Sequence, residues 1–314
     1  MPVEPLGPST ESRKFRRIGG YGDPGGAKTS WFRSVIEKVG AQRVWAIACG
    51  TGVSVLEDIL PESRIIRLAQ RKDVETLDQD KLLSQLTVNY ERAFEFVRRN
   101  LQDVEWLLVD DWTRVCKGLE TSGRLQMERG TAYQIDRGEN KPPTPDTQAL
   151  YGHLANAQLR GLEKTIQLPV NLYMTLTGET EYETELVVET YTFQGKEKRS
   201  EKNRRTGVSY AAPAIAGKKF LEDFMAIMDA VLYFHVVYER MPDNQSKRIT
   251  RCLVRCRDAS KKVKAKLRVP VGVLVPDVFS IGQRDELGAV TVSPNDYTLA
   301  SLTEKMAGTD PASK

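Results

Sequence analysis

Histidine is scarce in this sequence of 314 residues, where His153 and His235 are the only two. This scarcity excludes histidine-rich metal sites and argues against a Ser-His-Asp hydrolase. The four cysteines do not make a disulfide framework, which favours a reducing compartment. No apolar run approaches the roughly 18 residues that a membrane helix needs, and residues 1–17 lack the apolar segment of a secretory signal. We therefore expect a cytoplasmic protein with no membrane partner.

A strong excess of either charge is also absent. The formal net charge is +4, and charged residues make up 28% of the chain, which is ordinary for a globular protein. A mildly basic chain permits a nucleic-acid partner without requiring one.

Short apolar runs alternate with amphipathic helical patterns along most of the chain. This alternation predicts an α/β fold with a mainly parallel sheet and helices on both faces. The runs 248–257 and 262–270 are expected to pair as a C-terminal antiparallel hairpin. The other expected strands are 15–18, 44–48, 64–68, 106–109, 170–176 and 230–238.

The patterning favours a single domain over residues 14–300. Two polar insertions, 118–146 and 178–213, interrupt it, and structureless segments of that length are usually functional or disordered. Residues 1–13 and 301–314 lack periodicity, so we expect disordered tails at both ends.

A glycine cluster opens the first helix and carries the strongest motif. It matches the P-loop pattern of Gly, four residues and Gly-Lys-Ser/Thr, except that Ala27 replaces the second glycine. Lys28 would reach the β- and γ-phosphates, and the Thr29 hydroxyl would bind Mg²⁺. The alanine is tolerable at a negative φ and disabling where only glycine fits. The expected nucleotide-binding residues are Gly22, Asp23, Pro24, Gly25, Gly26, Ala27, Lys28, Thr29 and Ser30.

The same glycines permit two other interpretations. One is an ordinary glycine-rich turn. The other is a dinucleotide fingerprint, because Gly20, Gly22 and Gly25 fit G-x-G-x-x-G. A dinucleotide site also requires an acidic residue at the end of the second strand, and that strand runs into Cys49 and Gly50 instead.

A second motif is the apolar run 106–109, which ends in Asp110 and Asp111. A P-loop site needs an acid at the end of another strand to hold the Mg²⁺ shell. Asp110 is the expected metal-shell residue, together with Thr29. Asp111 is expected either to polarise the attacking water or only to cap the next segment.

With these two motifs, the chain resembles the RecA-like P-loop ATPases of phages, which act in recombination and single-strand annealing. The resemblance runs from about Phe15 to Pro270. It implies a RecA-like core with the strand from Leu172 to Thr177 beside the P-loop strand. It also implies ATP and Mg²⁺ as cofactors, self-association into a filament or ring on single-stranded DNA, and a phage single-strand binding or annealing protein as a possible partner. The compartment would then be the cytoplasm of the host cell.

The resemblance also assigns catalytic roles, and one position departs from it. The RecA pattern has a glutamate after the second strand, where this chain has Cys49, Gly50 and Thr51. Either Glu57 or Asp111 would take over its role. The polar sensor residue would be Thr175 or Thr177. The expected catalytic residues are Lys28, Glu57, Asp111 and Thr177.

Two basic segments are candidate DNA contacts. The first lies in the insertion 178–213, flanked by Tyr191, Phe193 and Tyr210, where phosphate neutralisation and base stacking would bind single-stranded DNA. A solvated insertion without a ligand is the alternative. The second segment is 247–268, in which Arg257, Lys261 or Lys262 would reach a neighbour's γ-phosphate, face DNA, or face water. The residues expected to bind DNA are Lys196, Lys198, Arg199, Lys202, Arg204 and Arg205.

The leading hypothesis is therefore a DNA-dependent P-loop ATPase acting on single-stranded DNA. The first alternative is a nucleotide-gated module that binds DNA or protein without hydrolysing ATP. The second is a phage assembly or packaging ATPase.

Overall fold

The structure is a computed structural model. It describes residues 15–22, 24–50, 52–69, 77–129, 134–135, 144–193, 196–215, 218–241, 244–257, 262–285 and 289–308. None of the described helices is long and apolar enough to cross a membrane.

The described helices and strands alternate along the first half of the chain. The helices are α1 (Lys28–Trp31), α2 (Arg33–Val39), α3 (Gln79–Arg99), α4 (Trp112–Glu128), α5 (Thr147–Ile166), α6 (Lys218–Ile227) and α7 (Leu299–Ala307). The strands are β1 (Arg17–Gly22), β2 (Val44–Ala48), β3 (Ile65–Arg67), β4 (Trp106–Asp110), β5 (Gln134–Ile135), β6 (Thr144–Pro145), β7 (Asn171–Phe193), β8 (Lys196–Pro213), β9 (Ala230–Met241), β10 (Asn244–Arg255), β11 (Lys266–Leu267), β12 (Val278–Arg284) and β13 (Val290–Thr291).

Eleven of the described strands form one sheet at the centre of the fold. Its core is parallel, in the order β9-β1-β7-β4-β2-β3. Strands β1, β2 and β4 are buried along their whole length, as expected for parallel strands that are covered on both faces. The predicted placement of Leu172 to Thr177 beside the P-loop strand is confirmed, because β7 pairs with β1 from Leu172 opposite Arg17 to Thr177 opposite Gly22.

Helices cover both faces of the sheet, which confirms the predicted fold class. The core on one face contains Trp31, Phe32 and Leu302, from α1, the α1–α2 junction and α7. The core on the other face contains residues of α3, α4, α5 and α6, among them Phe94 and Trp112. One strand, β7, lies between β1 and the strand β4 that ends at Asp110.

The predicted insertion 178–213 is instead a regular two-stranded ladder. Beyond Thr177, β7 continues to Phe193, and β8 returns antiparallel from Lys196 to Pro213. We call residues 178–193 and 196–213 the arm. The expectation of a structureless loop was wrong because strand pairing satisfies the backbone of this polar segment, and β pairing does not require an apolar face.

The first part of the predicted insertion 118–146 is also regular. Helix α4 continues through Gly118 to Glu128, and β5 and β6 pair antiparallel. Gly118 is buried where α4 packs on α3, because a Cβ there would lie 2.3 Å from the carbonyl oxygen of Leu83. This glycine is a close helix contact rather than the start of a loop.

Two C-terminal expectations also differ from the structure. Antiparallel pairing is present, but β10 pairs with β9 and β12, whereas Lys266–Leu267 pairs with β9. Residues 301–307 belong to α7, where Thr298 forms a capping box and Leu299, Leu302 and Met306 are buried. The predicted tail was therefore wrong for these residues. Residues 1–13 and 309–314 lie outside the described part.

We expect Gly118→Ala to lower the free energy of unfolding by about 2 kcal/mol, because an added methyl group overpacks the α3–α4 contact. Gly152→Ala is the matched control in α5. Its Cβ would meet nothing within 4 Å, so the higher helix propensity of alanine should raise stability by roughly 0.5–1 kcal/mol. Urea denaturation of both variants measures the difference. Equal effects would contradict the packing assigned to Gly118.

Candidate functional site

The glycine loop leaves the carboxyl end of β1, at the centre of the parallel core. Gly22 has a φ of 142°, and a Cβ there would lie 1.9 Å from the carbonyl oxygen of Phe234. Only glycine fits this close approach. Gly20 lies inside β1, two residues before its end, so the glycines are not arranged around a single turn as the dinucleotide interpretation requires.

Ala27, at the position of the missing glycine, has a φ of 63° and a ψ of 19°. This left-handed conformation costs an L-residue about 1–2 kcal/mol but is open to alanine. The Ala27 methyl group is buried in the same core cluster as Trp31. The loop therefore forms with alanine at a moderate cost in free energy, and the methyl group packs in the core.

Two hydroxyl groups converge on the carboxylate at the end of β4. Thr29 Oγ1 donates to Asp110 Oδ1 at 2.8 Å, and Thr175 Oγ1 donates to the same oxygen at 2.5 Å. Asp110 is 4% exposed, so its charge depends on such partners. The structure thereby brings together the P-loop threonine and the predicted metal-shell acid. An acid and a threonine that meet at the P-loop fit Mg²⁺, which proteins bind through one or two carboxylates together with phosphate oxygens.

Lys28 and Asp111 lie in the same cleft. Lys28 Nζ donates to the carbonyl oxygen of Gly22 at 2.9 Å. The Asp111 carboxylate accepts from the Thr113 amide at 2.9 Å and caps α4, and its other oxygen accepts from Thr177 Oγ1 at 3.2 Å. Burial raises the pKa of Asp111, with a further contribution from the neighbouring charge of Asp110. Asp111 is thus a helix cap that also faces the cleft.

The cleft around these residues has a volume of about 710 Å³, which is within the range of small-molecule sites. Its described lining includes the carboxylates Asp110 and Asp111. The cationic lining residues are Lys28, Arg114, Lys117 and Arg284. The excess of positive charge and the loop at the first turn of a helix suit a polyphosphate bound with Mg²⁺. Among the described residues, no group of three His, Cys, Asp or Glu side chains is placed to hold a metal alone.

Sequence reasoning missed three of these cations. Arg114 and Lys117 follow Asp111 at helical spacing, so a helix that begins after Asp111 predicts that both lie on one face. Arg284 comes from the distant β12, and its guanidinium donates to the carbonyl oxygen of Gly25. No sequence signal marks that contact.

Some predicted site residues lie elsewhere. The structure does not bring Glu57 into the cleft, because its exposed carboxylate pairs with Arg67 at 2.6 Å. Arg257 pairs with Asp277 at 3.5 Å. Lys262 is exposed, and its backbone carbonyl accepts from Ala211 near the base of the arm. Asp23 and Lys261 lie outside the described residues.

The six predicted DNA-binding residues all lie on β8. Arg199 and Arg204 are exposed, and the other four are placed by the backbone register. Lys196, Lys198, Lys202 and Arg204 alternate along one face of the ladder, opposite Phe193, Tyr191, Val187 and Glu185.

No family model matches this sequence, and no curated protein matches it. One solved structure that matches is an ATPase from the type III secretion system of pathogenic bacteria. The match has 12% identity, covers 69% of this chain and 50% of that chain, and has a TM-score of 0.35. This chain thus spans half of that structure. None of these comparisons confirms the resemblance to the phage RecA-like ATPases.

We expect Ala27→Gly to change the free energy of unfolding by less than about 1 kcal/mol. Glycine removes the strain of the left-handed φ. This gain is offset because the buried methyl group is lost and the unfolded chain gains conformational entropy. Ala27→Val should be strongly destabilised, since a β-branched residue does not tolerate this φ. Chemical denaturation measures both variants. A valine variant as stable as the wild type would contradict the assigned loop conformation.

Stability should depend on the charge of Asp111. The pKa of Asp111 is raised in the folded state, so its protonated form favours folding. This stabilising contribution is fully present below the pKa of Asp111 in the unfolded chain, and it is lost as pH rises through the pKa of Asp111 in the folded chain. Asp111→Asn keeps a capping side chain and should therefore be more stable than the wild type at neutral pH, with the gain vanishing in acid. The measurement is the free energy of unfolding across pH.

Asp58→Asn is the control of opposite sign. Arg33 lowers the pKa of the exposed Asp58 by a hydrogen bond, so its stabilising contribution is present at neutral pH and is lost in acid. Parallel pH profiles for the two variants would contradict the burial assigned to Asp111.

Proposed function

We propose that this chain binds ATP with Mg²⁺ in the P-loop cleft, hydrolyses it, and acts on single-stranded DNA through the arm. The observation that carries the proposal is the convergence of Thr29 and Thr175 on Asp110, beside Lys28. In P-loop NTPases the threonine and the acid hold Mg²⁺, while the lysine reaches the β- and γ-phosphates. Mg²⁺ would supply charge neutralisation between those phosphates.

Hydrolysis needs a group that orients or deprotonates the attacking water. Asp111 faces the cleft and has a raised pKa, whereas Glu57 is paired with Arg67 outside it. The geometry therefore favours Asp111 over Glu57 for this role. Thr177 would position the Asp111 carboxylate through its hydrogen bond.

A second function, ATP binding without turnover, is favoured by a different observation. The Asp111 carboxylate already accepts from Thr113 and Thr177. In the described lining of the cleft, Gly50 lies after β2 and no third carboxylate is present. In this alternative, ATP would gate the binding of DNA or of a protein.

The decisive experiment is ATP hydrolysis at low salt, with and without single-stranded DNA. We expect turnover that DNA stimulates, that Lys28→Ala abolishes, and that Asp111→Asn lowers by roughly 100-fold or more, as for loss of a general base. Lys38→Ala, on the exposed side of α2 and paired with Glu304, is the control and should behave as the wild type.

Each other result has a definite meaning. If ATP binding depends on Lys28 but no ATP is hydrolysed, the gated binding module replaces the ATPase as the proposed function. The absence of ATP binding would contradict the proposed site.

The DNA part of the proposal is supported by the two faces of the arm. On one face, Lys196 and Lys198 lie opposite Phe193 and Tyr191, a combination of cations and aromatic rings that suits phosphates and unstacked bases. On the other face, Arg199 and Arg205 alternate along β8 with Glu197, Glu201 and Asn203. The first face is the candidate DNA surface.

We expect the triple change of Lys196, Lys198 and Lys202 to Gln to weaken binding of single-stranded DNA. It should reduce the slope of log affinity against log salt by about 2, because each phosphate contact contributes about 0.7. The measurement is fluorescence anisotropy with a labelled oligonucleotide over a salt series. The double change of Arg199 and Arg205 to Gln is the matched control and should alter the slope less. A larger effect of the control would contradict the assigned face.

The proposal also includes self-association along the DNA and, as a partner, a single-strand binding or annealing protein. They rest on the resemblance alone, as does a role in trans for Arg257, Lys261 or Lys262.

A further inference from the structure

Arg114 is a cationic residue of the cleft that the P-loop motif does not account for. It lies in the first turn of α4, directly after the Asp111 cap. Because the Asp111 carboxylate accepts from the Thr113 amide, the start of the helix is fixed. Arg114 is thereby held in the cleft near Asp110.

The contacts of Arg114 leave most of its guanidinium donors available. The one hydrogen bond from its guanidinium to a described residue is long, 3.4 Å to the carbonyl oxygen of Cys49. Across the part of the chain that the structure describes, no carboxylate forms an ion pair with it, although Asp110 and Asp111 line the same cleft. The side chain is exposed to the cleft.

Gly50 lies beside Arg114. A Cβ at Gly50 would be 3.6 Å from the Arg114 Cζ, which is ordinary van der Waals contact, so the guanidinium lies close to the backbone of this loop. The segment after β2, where the RecA pattern has a glutamate, therefore has a cation beside it.

Arg114 lines the same cleft as the candidate metal ligands. Thr29 and Asp110 would hold Mg²⁺, which would neutralise charge on the phosphates of a bound nucleotide. Cys49, whose carbonyl contacts Arg114, donates its amide to the backbone oxygen of Asp110. The loop that Arg114 contacts is thereby joined to the end of β4, and the guanidinium lines the same cleft as Lys28 and Asp110. A planar guanidinium with unused donors suits bidentate phosphate binding.

We propose that Arg114 binds the γ-phosphate of ATP within the same chain. The inference rests on the proposed ATP site and deepens it, since it gives the site a means of telling ATP from ADP without a neighbouring copy. Lys28 would contribute to the binding of both ATP and ADP, whereas Arg114 would contribute only to the binding of ATP, which has a γ-phosphate.

The test is isothermal titration of Mg-ATP and Mg-ADP into the full chain. Arg114→Ala should weaken ATP binding roughly 10- to 100-fold, as for loss of hydrogen bonds to a charged group, and leave ADP binding nearly unchanged. Arg114→Lys should retain part of the preference for ATP. Arg124→Ala, in the same helix but paired with Asp80 and Glu128, should leave the preference as in the wild type.

Equal weakening of ATP and ADP by Arg114→Ala would overturn the inference, because it would mean that Arg114 only supports the loop. An unchanged ratio in both Arg114 variants would overturn it as well, and in either case the ATP site itself would stand. A wild-type chain that binds neither nucleotide would overturn the proposed function and this inference with it. The preference should also be the same at dilute and concentrated protein, and a preference that appears only at high concentration would assign the γ-phosphate contact to a second copy.

Discussion

The buried carboxylate of Asp110 is the constraint on which the candidate site depends. A charge that is 4% exposed is costly unless it is paired and hydrogen-bonded, and here the partners come from two other elements. Thr29 belongs to the helix after the P-loop, and Thr175 belongs to the strand between β1 and β4. Three segments far apart in sequence are thus fixed to one point at the carboxyl edge of the sheet. A cation bound at this point would meet hydroxyl groups that are already directed toward it.

The same sheet edge explains where the arm lies. Strand β1 stops at Gly22 to form the loop, while its neighbours β7 and β9 both continue past that level and return as hairpins with β8 and β10. The strand that carries the P-loop therefore lies between two strands that extend beyond it. The base of the arm follows Thr177, whose hydroxyl contacts Asp111. Thr177 thus connects the cleft to the base of the arm.

The elements that the sequence predicted correctly are those with a clear local pattern. The run 106–109 followed by Asp110 predicts a buried strand with an acid at its end, which is β4, and the glycine cluster before a helical pattern predicts the start of a helix, which is α1. The arm was missed because its charged residues follow neither the helical period nor the apolar alternation of a half-buried strand. The predicted insertion 118–146 was wrong over 118–128, because α4 continues through Gly118, whose contact with Leu83 leaves no room for a side chain. Arg284 reaches Gly25 from a strand more than 250 positions away, and no local pattern encodes such a contact.

The central proposal is that Asp110 binds the metal of a nucleotide complex. The most direct measurement is Mn²⁺ binding by electron paramagnetic resonance, with and without ATP, in the wild type, in Asp110→Asn and in the surface control Asp277→Asn. The account predicts ATP-dependent Mn²⁺ binding in the wild type and in the control, and its loss in Asp110→Asn while the fold is kept. Undiminished ATP-dependent binding in Asp110→Asn would contradict it.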